Sequence, residues 1–297
     1  MKLRLLHYHL IAILTVTIWG LTFISTKVLI TNGLSPQTIF ALRFLIAYLG
    51  IWFVSPKRLL ASNLKDELWL MAGGVFGGSF YFITENTALE ITQTSNVAFL
   101  ICTAPLLTIL LSRVCYRDER ISRRLMGGSL LALFGVGLVI FNGSFILQIN
   151  PLGDMLTLLA ALSWAFYSLI IRKMTGRYST VFMTRKIFFY GLLTVLPMFL
   201  IHPTPLHWEV LLSPIVWGNL LFLGLLASLV CYILWNVVLK QLGTVLSSNY
   251  IYLNPLVTMI ASVLILNERI TGVALVGAAC IIGGVYWGQK KRLKTFK

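Results

Sequence analysis

Charge is what this sequence has least of. Only 11% of its 297 residues are Asp, Glu, Lys or Arg, and just 9 are acidic, against roughly 25% charged residues in soluble domains. Such a chain cannot cover a water-facing surface, which excludes a soluble enzyme and a disordered chain. Cysteine is also scarce. Cys102, Cys115, Cys231 and Cys280 are scattered, mostly inside apolar runs, with no CxxC spacing and no histidine partner. That excludes a secreted disulfide scaffold and gives no metal site; the four read as small core-packing residues. No HExxH, GxSxG or Walker loop is present, nor an intramembrane Asp pair. No enzyme chemistry, cofactor or metal is called for. The four histidines, His7, His9, His202 and His207, fall near the N-terminus and in one loop.

What is abundant is apolar sequence, at 58% of residues. A helix needs about 20 apolar residues to cross a hydrocarbon core. Ten runs qualify, over 9–30, 36–54, 68–88, 93–114, 125–142, 152–171, 180–201, 215–239, 244–266 and 271–289. They are too long for barrel strands, and strand alternation is absent. The first run follows a basic start but lacks a small-residue cleavage site, so it reads as a helix rather than a signal peptide. The chain is expected to be an all-α integral membrane protein of ten transmembrane helices.

The excess of base is a topology signal. With the N-terminus inside, nineteen of the 24 Lys and Arg fall in inside loops and ends, and only Arg269 falls outside. This agrees with the positive-inside rule and leaves no need for a nucleic-acid partner. Both termini are expected to be cytoplasmic.

An internal repeat runs through the chain. Trp19-Gly20-Leu21-Thr22-Phe23 followed by Lys27 answers to Trp164-Ala165-Phe166-Tyr167 followed by Arg172, at an offset of 145. Arg43 answers to Arg185, while Asn86 and Pro105 answer to Asn236 and Pro255 at an offset of 150. Glu119-Arg120-Ile121-Ser122 answers to Glu268-Arg269-Ile270-Thr271, and Gly128 and Gly135 to Gly277 and Gly284, at 149. The halves are 9–142 and 152–289, followed by a basic tail over 290–297. Five helices per half is odd, so the second half is inverted in the membrane, the usual construction of alternating-access transporters. With no nucleotide-binding motif, transport is secondary or facilitated.

These landmarks carry a family resemblance. Trp19-Gly20 to Lys27, Ala41-Leu42-Arg43-Phe44, Pro105 to Glu119-Arg120, Gly153-Asp154 to Tyr167, Tyr232 to Trp235, and Pro255 to Glu268-Arg269 occur in order. Over about residues 9–290 the chain resembles the ten-helix EamA branch of the drug/metabolite transporter superfamily. The first half carries one residue more than the second between its proline and its Glu-Arg pair. The resemblance implies that each half is one EamA repeat and that small metabolites, such as amino acids, or drugs cross a bacterial inner membrane. It implies a cavity formed by helices 1, 3, 4, 6, 8 and 9, with helices 5 and 10 peripheral. Export is the direction it suggests. The rival within transport is a sugar-phosphate or nucleotide-sugar exchanger, which needs several paired cations in the cavity. A non-transporting receptor or scaffold is the rival from another class, and it lacks the soluble parts such proteins carry. Substrate identity, coupling and oligomeric state do not follow from the sequence.

Individual residues have two readings each. Trp19, Tyr81, Asn86, Trp164, Tyr167, Tyr232, Trp235, Asn236 and Asn249 are candidates for the cavity wall, with helix packing as the alternative. Trp52, Trp69, Trp208, Trp217 and Trp287 sit near span ends and read as an interfacial belt. Pro105 and Pro255 each remove a backbone bond in mid-span, marking packed kinks or hinges. Lys27, Arg43 and Glu85 lie at similar depth. A buried charge is costly unless paired or hydrated, so they are expected to form an outer polar cluster, with Glu85 paired to Lys27; separate snorkelling is the alternative. Gly73, Gly74, Gly77 and Gly78, and Gly284 with Gly288, allow close helix approach. Asp154 reads as a helix cap, Glu119 and Glu268 as loop charges, and Asn142-Gly143-Ser144 as a chance sequon.

Overall fold

The computed structural model describes residues 2–54, 60–116, 122–141, 150–201, 203, 208–257, 259–260 and 271–289. Glu119, Glu268, Arg269, the 142–144 triplet, His202, His207 and the 290–297 tail lie outside the described residues, as does the end of the ninth expected span.

The apolar runs are helices. They are α1 (Lys2–Thr31), α2 (Pro36–Val54), α3 (Leu64–Gly74, Val75–Ser79 and Phe80–Ile91 in series) and α4 (Thr94–Ile101 and Ala104–Cys115). Then follow α5 (Arg123–Phe141), α6 (Pro151–Met174), α7 (Thr180–Ile201), a short turn of helix over Trp208–Leu212, and α8 (Pro214–Leu221, Phe222–Val230 and Cys231–Leu242). α9 (Thr244–Ser248 and Asn249–Leu253) and α10 (Gly272–Gln289) complete the described chain. Eight of these are long and apolar enough to cross a membrane. α3 falls outside that set because glycines and Glu85 dilute its apolar character, and α9 because its expected course runs into residues 261–266.

Local chemistry sets the helix ends. Asn63 caps α3, its side chain accepting from the Asp66 amide, and Asp66 and Glu67 lie in the first turn, at the positive end of the helix dipole. α6 is capped by Asn150, whose Oδ1 accepts from Gly153 N at 3.0 Å, with Pro151 next in line. This corrects the expectation for Asp154, which sits one turn in; its Oδ1 has no hydrogen-bond partner among the described residues.

The breaks repeat as the landmarks do. α4 is interrupted at Cys102 and Thr103, whose amides turn back to Phe99 O and Leu100 O at 3.1 and 3.0 Å. Pro105 cannot donate to a carbonyl four residues back, so the chain tightens before it. α9 likewise runs as a 3₁₀-helix over Asn249–Leu253, just ahead of Pro255. The middle stretches of α3 and α8, Val75–Ser79 and Phe222–Val230, are both π-helical. They overlap at the repeat offset of 150.

Packing follows the same two-fold rule. α1 packs on α8 as α6 packs on α3; α2 packs on the π stretch of α8 as α7 packs on that of α3. α5 and α10 pack mainly on each other. There a Cβ added at Gly128 would lie 2.5 Å from Gly284 O, and one at Gly277 would lie 2.7 Å from Gly135 O. Gly128 corresponds to Gly277 and Gly135 to Gly284, so a pseudo-two-fold axis passes through this antiparallel crossing. Two ends of the bundle can be named from their contacts. At the Asp66 end, Asp66 meets Arg177; at the Lys27 end, Lys27 meets Leu89 O.

Candidate functional site

The axis also passes close to a pair of tryptophans. Trp19 on α1 and Trp164 on α6 stand edge to face with ring centroids 5.2 Å apart. Trp235 lies tilted against Trp19 with ring centroids 5.1 Å apart, and Tyr81 and Tyr167 flank Trp164 at 5.2 and 4.9 Å. Tyr232 lies 5.9 Å from Trp164. Ring pairs at such distances contribute about 0.5–1.5 kcal/mol each beyond burial, so this layer is stiff. Lying against it is a cavity of about 50 Å³ lined by Trp19, Tyr81, Trp164 and Tyr232 together with Arg43 and Glu85. That is room for a water or two, far below the roughly 300 Å³ of a ligand pocket. The cavity is contracted.

Two charges face it. Arg43 and Glu85 are 2% and 6% exposed. The Arg43 Nε donates to Ser228 Oγ at 3.0 Å and its guanidinium lies 4.2 Å above the Phe82 ring. The Glu85 carboxylate accepts from the Tyr81 hydroxyl at 2.6 Å. No ion pair joins Arg43 to Glu85 among the described residues.

Lys27 departs from expectation. Its ammonium donates to Leu89 O at 2.6 Å, closing off a carbonyl at the C-terminal turn of α3 rather than pairing with Glu85. Beside it a wider notch, with Glu90 and Asn150 on its walls, opens at the Lys27 end.

Other sequence candidates sit around the cavity rather than on its wall. The Tyr167 hydroxyl donates to Asn236 Oδ1 at 2.7 Å, and Asn236 Nδ2 donates to Thr184 Oγ1 at 2.9 Å, a buried chain on the Asp66 side. Trp235 is fully buried. Asn86 donates to Pro36 O at 3.2 Å and ties α3 to the start of α2. Asn249 accepts from Ser129 at 3.1 Å and ties α9 to α5. Pro105 and Pro255 do not line the cavity; their neighbours Ala104 and Asn254 do. Phe82 and Asn254 are wall residues that sequence reasoning missed.

It also missed the closure of the Asp66 end. Glu67 is held by Lys186 and Tyr190 and accepts from the Ala61 amide at 2.6 Å. Asp66 takes Arg177 at 2.8 Å and the Tyr178 hydroxyl at 2.9 Å. Both acids precede the apolar stretch of α3. The hydrogen bond from Tyr178, aided by Asn63 and Arg177, holds the Asp66 carboxyl below its ordinary value. Burial pushes Glu67 upward, but bonds from Lys186 and Tyr190 outweigh it and leave that carboxyl low as well. Lys173 lies 3.6 Å above the Trp69 ring, so this expected belt residue carries a cation.

Two pseudo-symmetric sets of apolar helices around an aromatic layer, with charges buried at the centre, are the architecture of a membrane transporter. The chain belongs to the EamA-like transporter family, whose model matches residues 6–141 and again 151–287. A protein of Escherichia coli (strain K12) named a probable amino-acid metabolite efflux pump is 29% identical over 93% of this chain and 92% of its own length. An uncharacterized transporter of Archaeoglobus fulgidus is 28% identical over 96% of this chain and 98% of its own. A solved crystal structure shares the fold with a TM-score of 0.75 at 19% identity, covering 95% of this chain and 98% of that one.

Proposed function

We propose that the chain exports zwitterionic, amino-acid-like metabolites across a bacterial inner membrane as a secondary or facilitated carrier working by alternating access. In this reading ten helices span the membrane as two inverted repeats, 9–142 and 152–289, and the basic tail over 290–297 and both termini are cytoplasmic. One observation carries it: Arg43 and Glu85, both buried, line one small cavity without bonding to each other. Burying two opposite charges side by side but unpaired is costly unless a ligand completes them. A zwitterion does so, its carboxylate on the four Arg43 N–H groups not given to Ser228 and its ammonium on Glu85. The aromatic wall suits an aromatic or large apolar side chain. The name of the Escherichia coli relative points the same way. A sugar-phosphate cargo is less well served, since one cation and one carboxylate face the cavity.

Phenylalanine, its methyl ester and its N-acetyl derivative test this in proteoliposomes. The parent amino acid is expected to move faster than either derivative. Arg43→Gln brings it down to the ester's rate, and Glu85→Gln to the N-acetyl rate. Equal transport of all three compounds, or no effect of either substitution, overturns the reading.

A further inference from the structure

The pseudo-two-fold relates Trp19 to Trp164, Ala227 to Gly77 and Tyr232 to Phe82. One hydrogen bond breaks this symmetry. The Trp19 indole N–H donates to Ala227 O at 3.0 Å. Its mirror bond runs from Trp164 to Gly77 O, but there the Tyr232 hydroxyl donates instead, at 2.6 Å. Trp164 is 5% exposed, and its indole nitrogen has no hydrogen-bond partner among the described residues. Buried donors are almost always paired, so this vacancy marks an arrangement complete on one side of the axis and incomplete on the other. Phe82, in the mirror place of Tyr232, has no hydroxyl and leaves Ala227 O to Trp19.

We propose that the Tyr232 hydroxyl is a positioning group for the transport cycle: it holds the Gly77 carbonyl that Trp164 takes when the two halves exchange conformations. In the state seen here Trp19 is bonded and Trp164 is not. In the opposite state the roles reverse, Trp164 bonds to Gly77 O and Tyr232 lets go. Both acceptor carbonyls lie in the π-helical stretches Val75–Ser79 and Phe222–Val230, where displaced backbone bonding is common at functional sites. Donor and competitor are adjacent, with the Trp164 and Tyr232 rings 5.9 Å apart. Because only one half carries the hydroxyl, one state is favoured at rest. This rests on the alternating-access reading above and adds which group sets the balance.

The test uses the full chain in proteoliposomes, with its four cysteines replaced and one reporter thiol added. Thr22→Cys reports on the Lys27 side of the ring layer. Thr108→Cys, one turn beyond the wall residue Ala104, reports on the Asp66 side. The measured quantity is the ratio of thiol-labelling rates, Thr108→Cys over Thr22→Cys. Tyr232→Phe is expected to raise this ratio about fivefold, the scale of one net hydrogen bond. Moving the hydroxyl across the axis, Tyr232→Phe with Phe82→Tyr, raises it further. Trp164→Phe lowers it, because the opposite state then loses its bond; simple packing damage predicts no such change of sign. An unchanged ratio in Tyr232→Phe, or a double variant that returns to the native ratio, overturns the proposal. If Tyr232→Phe is not monodisperse, the sign of the Trp164→Phe shift decides alone. Adding phenylalanine to the native chain separates the two claims. If it fails to move the ratio the transport reading falls, whereas a ratio that responds to phenylalanine but not to Tyr232→Phe removes only this inference.

Discussion

The glycine crossing between α5 and α10 offers the sharpest test of the inverted architecture. Gly284→Ala places a methyl 2.5 Å from Gly128 O and 2.7 Å from Ala132 N, and Gly135→Ala places one 2.6 Å from Gly277 O and 2.8 Å from Ile281 N. All four obstacles are backbone atoms of a neighbouring helix, which cannot rotate away as a side chain does. The helices must separate, and overpacking of this kind costs about 1–3 kcal/mol. For a chain of 297 residues that is roughly 2–5 °C in thermal midpoint. The pseudo-two-fold relates these two positions, so their losses should agree. Gly277→Ala should cost about as much, since it meets Gly135 O at 2.7 Å and Leu138 Cβ, which the backbone fixes, at 2.9 Å, and only Val139 Cγ2 can turn aside. Gly283, one residue from Gly284, has nothing within 4 Å of an added Cβ, and its alanine variant should hold or gain stability through better helix propensity. Thermal unfolding in detergent, followed by loss of the monodisperse peak, measures all four. If Gly284→Ala and Gly135→Ala are indistinguishable from Gly283→Ala, the crossing is not as described and the axis argument fails with it.

Four further outcomes are expected. Lys186→Met leaves the Glu67 carboxylate without its cation and should cost about 3 kcal/mol; adding Glu67→Gln should recover most of it in a double-mutant cycle of thermal midpoints. Asp66 has a depressed folded-state value, so its contribution is complete above the ordinary carboxylate range and is lost as pH falls through that depressed value. The midpoint of the native chain should therefore drop in acid, and Tyr178→Phe should flatten the drop. Lys27→Glu combined with Glu85→Lys should not restore transport lost in Glu85→Gln, because Lys27 serves the Leu89 carbonyl; recovery would reinstate the Lys27–Glu85 pair. Reporter fusions after Lys297 should read inside, and one in the 202–214 loop outside.

Much of this was legible in the sequence because hydropathy and landmark order survive without coordinates. The ordered offsets pointed to a repeat, and the family model does match the chain twice; Trp19 and Trp164 stood out as apolar-run aromatics too deep for a belt. Contact across the bundle was less legible. Lys27 and Glu85 share a depth, but depth does not say which way a side chain turns around its helix, and a free carbonyl at a helix end leaves no mark in the sequence. Glu67 and Lys186 are 119 residues apart, and nothing in either neighbourhood names the other. The π stretches were hidden for a similar reason: their extra residue per turn is set by packing, as where Gly74 lies against Tyr190 and Gly224 against Ile46. The cap of α6 was available, since Asn150 followed by Pro151 is a start signal.

Symmetry and its failure divide the labour in this molecule. Where the halves only have to slide or swap, at the α5–α10 crossing and in the helix pairings, the contacts obey the two-fold axis closely. Two states built from exchanged halves then differ little in energy, which a carrier needs if neither state is to be a trap. Where the proposed ligand would be recognised, the axis is broken. Arg43 faces the cavity, but its counterpart Arg185 lies 4.7 Å from the Trp52 ring and does not line the cavity, while the counterpart of Glu85 is Trp235. A symmetric cavity holding both copies of each would carry two cations and two carboxylates, and a zwitterion would fit it in either of two orientations. One arginine and one glutamate from a single half give the cavity polarity, so the proposed zwitterion would have one orientation in it. The same half supplies the Gly77 carbonyl that the Tyr232 hydroxyl holds. On the proposed reading, recognition and resting bias are both written as departures from a scaffold that is otherwise two-fold.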